Sequence, residues 1–253
     1  MDKNQHALFN YCLRLGDNSL ILGQRITEWC SHAPILEEDI ALANLSLDLI
    51  GQAREFLTYA GEVEKKGRTE DDLAFQRDAN EFRNALLVEQ PNGDFAHTIV
   101  RQYLFSVFNY HYLIELSKSN DATLAAIAAK SLKEVIYHLR HSGEWILRLG
   151  DGTEESKRRL FNAFDDLWMY TEELFDMDES DELLVKKGIG VDLRTIHPLW
   201  LETVKKHLDI ISFPLPSNHF LVQGIKKGKH SEHLGHILAE MQFLPRAYPG
   251  TKW

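Results

Sequence analysis

At 253 residues, with 44% apolar and 26% charged side chains, the chain has the make-up of an ordinary globular protein able to bury a sizeable core. Its net charge of −10 argues against a nucleic-acid backbone or an anionic membrane as the main partner. Cys12 and Cys30 lie far apart with no C-x-x-C pairing, which speaks against a disulfide framework and suits a reducing cytoplasm. The opening "MDKNQHALFNYCLRLGDNSL" has no basic stretch followed by an apolar run, and no apolar run approaches about 18 residues, so neither a secretory signal nor a membrane span is expected.

Helical periodicity dominates in chain order. A first helix is expected at about Ala7 to Cys30. A second begins after Pro34, with Glu37, Glu38 and Asp39 in its first turn, where the helix dipole favours carboxylates. It continues through Leu42, Leu45, Leu49, Ala53, Phe56, Ala60 and Val63, at steps of three and four. The turn "EQPNGD" opens a third helix, from Asp94 as N-cap to Ser117, and a fourth covers Ala122 to Leu149. Shorter helices are expected at Glu154 to Phe175, Glu179 to Lys187 and His197 to His207, with a last one from Ser231 that stops before "LPRAYPGTKW". "GIGVDLRTIHP" and "ISFPLPSNHF" read as loops, with short strand pieces open at Asp209 to Phe213 and His219 to Val222. The expected fold is all-α: one domain over 1–253, with a four-helix bundle at about 7–150 and additional helices and a C-terminal loop region at about 151–253.

The fourth helix carries "KEVIYHLRHSGEWILRLG", which files Glu134, His138, His141 and Trp145 along one face. A carboxylate and two imidazoles on one face raise the question of a metal. Ferritin-like di-iron bundles take a Glu from each of two helices and a Glu-x-x-His pair from each of the other two. Here both pairs are broken. Asp48 is followed at i+3 by Gly51, which has no ligand to offer, and Glu134 is followed by Tyr137, with His138 one step late. The first helix offers Asp17 and Glu28, the third Asp94-x-x-His97 at its capped start. These degenerate positions (Asp48, Gly51, Glu134, Tyr137, His138) predict no metal and no catalytic residue in this chain. Glu134, His138 and His141 then read as a buried polar cluster, because buried charges must be paired. Trp145 and Trp168 read as core or interface anchors. "HSEHLGH" places His230, His233 and His236 at i, i+3 and i+6, which drift around the helix instead of converging on a zinc ion.

The stretches "LRLGDN", "EWCSHAPILEEDIALANLSLDLIGQAR", "LLVEQPNGDFAHTIVRQY", "KEVIYHLRHSGEWILRLGDGT", "LFDMDESDE" and "GKHSEHLGHILAEMQFLPRAYPGTKW" give the chain a further likeness. From about Leu13 to Trp253 it resembles the C-subunit family of the phenylacetyl-CoA epoxidases of aerobic phenylacetate degradation, in the ferritin-like superfamily. The resemblance implies a cytoplasmic, multicomponent bacterial monooxygenase that turns the aromatic ring of phenylacetyl-CoA into a 1,2-epoxide. It implies that a related A subunit holds the di-iron centre and the substrate. A reductase supplies electrons from NADPH, and the C subunit is a structural partner without iron. The expected partners are the catalytic A subunit and the other subunits of the complex, with no nucleic acid and no membrane; a homodimer of the isolated chain stays open. The rival readings are a free-standing di-iron or di-manganese oxidase using Glu134, His138, Asp94 and His97, and a coenzyme A thioester-binding module without catalysis.

One stretch adds a sharper expectation in view of that resemblance. "GIKKGKHSEH" sets Lys226, Lys227, Lys229 and His230 among glycines just before a helix N-terminus. Lysines and helix N-termini both host phosphate, so these four residues are candidate contacts to the coenzyme A phosphates.

Overall fold

The computed structural model describes residues 1–216 and 228–251. Among them are eleven α-helices and no strand, so the chain is all-α as expected. The contacts divide it into two compact units, Met1–Pro91 with Gly224–Trp253, and Asn92–Gln223.

The first unit is built on α1 (Lys3–Thr27) and α2 (Leu36–Glu64). They pack antiparallel and close, because α1 turns two glycines toward α2. A Cβ on Gly16 would fall 2.8 Å from the side chain of Leu57, and one on Gly23 would fall 3.2 Å from Ile50, 3.3 Å from Leu49 and 3.4 Å from the Ser46 carbonyl. A side chain at Gly16 would force the pair apart. Cys12, Ile21, Leu22 and Ile26 on α1 and Leu45, Leu49 and Phe56 on α2 are all buried. After α2 the chain turns at Lys65, in the left-handed conformation at φ 58°. It then forms α3 (Glu70–Phe75), a 3-10 turn at Ala79–Glu81 and α4 (Leu86–Glu89). Near the C-terminus come α10 (Glu232–Met241) and α11 (Phe243–Ala247). The side chain of Gln242 fastens them by donating to the carbonyls of Ala74 and Arg77.

The second unit is built on α5 (Phe95–Leu116) and α6 (Ala122–Gly150), followed by α7 (Glu154–Trp168), a 3-10 turn at Glu172–Phe175, α8 (Glu179–Lys186) and α9 (Leu193–Ile210). α5 is buried almost all round, since α6, α7 and α9 all pack on it, as its nearly continuous apolar and aromatic sequence demands. The indole of Trp200 on α9 donates to the Leu104 carbonyl at 3.0 Å and sits 5.4 Å from both Trp168 and Phe175. That makes Trp168 a core anchor, as expected.

The boundaries differ from expectation at several places: α1 begins at Lys3, ahead of Ala7, because Asp2 caps it by accepting from the Gln5 amide, and it ends at Thr27. α7 stops at Trp168, and Phe175 ends a separate 3-10 turn. α9 begins at Leu193 and not at His197, because Asp192 caps it by accepting from the Arg194 amide; Pro198 sits inside the helix. Residues 209–213 hold the end of α9 and a turn, with no strand, and His219 to Val222 lie outside the described residues. α11 forms within "LPRAYPGTKW", with Arg246 anchored to Asp78 and to the Arg77 carbonyl.

Candidate functional site

The file on α6 is placed by its cap: Asp121 accepts from the amides of Thr123 and Leu124 and starts the helix one residue on. Along it His138 is buried, with 1% exposure, while Glu134, His141 and Trp145 are half-buried. Trp145 meets Phe95 edge-on at 5.0 Å, and the Arg148 guanidinium lies 5.4 Å from its ring. Tyr137, at the i+3 position from Glu134, is turned outward and carries the Arg140 guanidinium at 5.6 Å. On α2, Asp48 is half-buried, but Gly51 is exposed, with no atom within 4 Å of where a Cβ would stand.

The remaining acids and imidazoles of the metal analysis have definite partners. Asp17 is wholly buried. Its two carboxylate oxygens take the two terminal nitrogens of Arg77, one of them at 3.0 Å, and the Arg83 amide at 2.8 Å. Arg77, 2% exposed, also donates to the carbonyls of Leu73 and Glu81 and stacks on Phe82 at 4.2 Å. Glu28 pairs with Arg25 at 2.8 Å. Asp94 caps α5 by accepting from the His97 amide at 3.0 Å. The same carboxylate meets His97 Nδ1 at 2.9 Å, and Asp166 on α7 meets Nε2 at 3.0 Å. Burial pulls the His97 imidazole down, but the two carboxylates outweigh it and hold the group above its ordinary value. Burial pushes Asp94 up, and the hydrogen bonds from His97, with Arg159 beside it, hold it below. Among the described residues no group of three or more His, Cys, Asp or Glu side chains is placed to hold a metal ion.

The basic stretch divides. Lys226 and Lys227 lie outside the described residues, and Lys229 is exposed. His230 is turned inward: Nδ1 lies 2.9 Å from Glu89 Oε2 and Nε2 lies 3.1 Å from the Phe82 carbonyl. Both ring nitrogens are engaged within the chain, and none is left over for a phosphate. The start of α10 is taken as well, since the Ser231 amide donates to Glu89 Oε1 at 2.6 Å. A carboxylate of the chain itself stands where a phosphate at that helix N-terminus was expected. Of the four candidate phosphate contacts, His230 is thus the one held inward, by Glu89 and the Phe82 carbonyl. His233 is half-buried and His236 exposed, so the three imidazoles of "HSEHLGH" diverge as their spacing requires.

Two polar centres, one in each unit, escaped the sequence reading. Glu89, wholly buried on α4, collects the Asn84 amide nitrogen at 2.9 Å, His230 and the Ser231 amide, while its carbonyl takes the Arg25 guanidinium at 3.0 and 3.2 Å. It ties α1, the 82–90 segment and α10 together. In the second unit, Tyr103 meets His207 Nδ1 at 3.0 Å, and burial pushes its phenol well above the ordinary value. His207 in turn lies over Gly143, where a Cβ would come within 3.2 Å of its Nε2.

A family model described as "Phenylacetic acid catabolic protein" matches residues 1–253. The chain belongs to that family. It is 51% identical over 248 residues, covering 98% of this chain and 100% of the relative, to the C subunit of the 1,2-phenylacetyl-CoA epoxidase of Escherichia coli (strain K12). The helical class found here is the ferritin-like one that the family resemblance implied. Among the described residues no helix is long and apolar enough to cross a membrane.

Proposed function

We propose that this chain is the structural, non-catalytic C subunit of a multicomponent, cytoplasmic di-iron monooxygenase that epoxidises phenylacetyl-CoA in aerobic phenylacetate degradation. The supporting observation is the end-to-end likeness to the C subunit of the Escherichia coli epoxidase, at 51% identity over 98% of the chain. The donor geometry agrees with it. Asp17 is consumed by Arg77, Gly51 has no side chain, Tyr137 points outward, and Asp94 and His97 engage each other and Asp166. In this reading the chain carries no cofactor, and the di-iron centre belongs to a catalytic A subunit. That partner gains from this chain a rigid surface against which its own helices are held, since oxygen chemistry tolerates ligand displacements of only about half an ångström. Lys226, Lys227 and Lys229 are the candidate contacts to the coenzyme A phosphates.

Co-expression with a catalytic partner bearing two intact Glu-x-x-His pairs tests the reading. The two chains should co-purify, with iron tracking the partner, and epoxide formation should need both. Two irons bound per copy of this chain alone, with oxygen consumption, would overturn it. If the lysines meet the substrate's tail, Lys226→Ala with Lys227→Ala should raise KM for phenylacetyl-CoA about tenfold at low salt and leave kcat largely unchanged. An unchanged KM would remove them from the site.

A further inference from the structure

Arg83 differs from its fellow arginines in the first unit. Arg25, Arg54, Arg68, Arg77 and Arg246 each pair with a carboxylate. The acids just before Arg83 in the chain are already engaged, Glu81 by the Asp78 amide and Asp78 by Arg246. Arg83 is half-buried and donates through Nη1 to the carbonyls of Asn80 and Phe82, at 2.8 Å each. Those two bonds hold the guanidinium plane in place. Among the described residues Nε and Nη2 have no partner, and neither is shut away from water. They form the edge that takes an oxyanion by two parallel bonds. Arg68 uses that same edge on Glu64, at 2.7 and 2.6 Å. On Arg83 it is open.

The chain returns over Arg83 at residues 228–230. Gly228, at φ 62°, lies so close that a Cβ would fall 2.5 Å from the Asn80 carbonyl oxygen and 3.3 Å from Arg83 Nη1. Only glycine fits there. Two residues on, His230 Nε2 lies 3.1 Å from the Phe82 carbonyl. The two carbonyls that hold Arg83 are therefore the two against which the returning segment rests. Lys229 stands between the two pinned residues and is exposed. A fixed guanidinium and a solvent-facing ammonium thus share one short stretch of surface on a chain of net charge −10.

We propose that the open edge of Arg83, together with Lys229, is a phosphate-binding fork, and that in the epoxidase it takes a phosphate at the nucleotide end of phenylacetyl-CoA. Two cations suit a phosphate monoester, with its charge near −2, better than a singly charged carboxylate. Arg83 supplies the orientation and Lys229 the added charge. The phosphate chemistry follows from the two cations, while its assignment to this substrate rests on the epoxidase reading.

Calorimetric titration of the full-length chain with adenosine 3′,5′-bisphosphate, which carries the nucleotide end of coenzyme A without the thioester arm, tests the fork. The wild type should bind it, and Arg83→Gln should weaken binding at least tenfold at low salt, with circular dichroism unchanged. Arg83→Lys keeps the charge but not the edge and should fall in between. Lys229→Gln, at an exposed position that leaves the fold alone, should weaken binding about threefold or more. Arg54→Gln removes a charge elsewhere on the same unit and should change nothing. A wild type that does not bind, or an Arg83→Gln chain that binds equally well, overturns the proposal. The assignment to substrate is read in the complex with the catalytic partner. There Arg83→Gln should raise KM for phenylacetyl-CoA about tenfold with kcat kept, and leave KM for phenylacetyl-pantetheine, which has no nucleotide, as it was. An unchanged KM for both, with bisphosphate binding lost, overturns the assignment to this substrate. A complex that forms no epoxide while the chain still binds the bisphosphate through Arg83 overturns the epoxidase reading and leaves the fork standing.

Discussion

The two units secure their connecting segments with the same kinds of charged pair at very different depths. In the first, Asp17 with Arg77 and Glu89 with His230 bind the 65–91 segment and the start of α10, and all four side chains are 5% exposed or less. In the second, Asp94, His97 and Asp166 clasp α5 to α7 with side chains 24–68% exposed. Depth decides what such a pair is worth. A buried pair offers little net gain over apolar packing, yet losing one partner leaves a charge without water or counter-charge, at about 3–5 kcal/mol. An exposed pair contributes about 0–1 kcal/mol and is screened by salt. The inner network is thus a condition for folding, and the outer clasp an adjustment to it.

Arg77→Ala gives this contrast its hardest test. It strands Asp17 and the Leu73 and Glu81 carbonyls, so denaturant unfolding should show a loss of about 3–5 kcal/mol. The loss belongs to the orphaned charge and not to the missing attraction. Arg77→Met combined with Asp17→Leu should therefore recover much of it, falling short because the Arg83 amide also loses its acceptor. A loss under about 1 kcal/mol in the single variant would mean that water reaches Asp17, and the distinction between the units would fail.

His230→Ala should cost less, about 2–3 kcal/mol, since Glu89 keeps Asn84 and the Ser231 amide as donors. Thermal unfolding measures the loss. Hydrogen exchange should locate it, with protection falling first in α10 and in the 82–90 segment. A variant that unfolds like the wild type, with α10 equally protected, would reduce His230 to a bystander.

Why the Asp94 cap could be read in the sequence, while its extension to Asp166 and the inner network could not, follows from separation along the chain. Asp94 and His97 stand three apart at a turn, so the cap is local chemistry. The four long helices declare themselves by apolar period over 22 to 29 residues. Asp17 and Arg77 are 60 positions apart, and Glu89 and His230 are 141 apart. Residue type says that a buried charge needs a partner but not which one, and His230 accordingly reads as a phosphate contact beside its lysines. α3 and α4, of six and four residues, are too short for periodicity to show. A local signal does precede α3, though: Thr69 and Asp72 form a capping box, a spacing visible in the sequence. The same holds for Asp192, which starts α9 inside a stretch that its glycines and proline mark as loop.

The clasp should show itself most delicately, through pH. His97 is held above its ordinary value, so its contribution is complete below the unfolded imidazole value of about 6.5 and fades as pH rises through the raised folded value. Asp94 is held below its ordinary value, so its contribution is present above the unfolded carboxylate value of about 3.9 and fades as pH falls through the lowered folded one. Between these limits, near about pH 5, imidazolium and carboxylate are charged together and the clasp is strongest. Water reaches all three side chains, Asp166 most of all, so solvent screening limits the whole effect to less than about 1 kcal/mol. The melting temperature of the wild type minus that of His97→Gln should peak at about 2–4 °C near pH 5, shrink above pH 8, and fall further in high salt. The groups facing the imidazole from α7 are Asp166 and, through Asp94, Arg159. Asp166→Asn should accordingly lower the alkaline limit without moving the acid one. A difference that grows toward alkaline pH would mean that His97 works as a neutral hydrogen-bonding ring, and the electrostatic account of the clasp would fall.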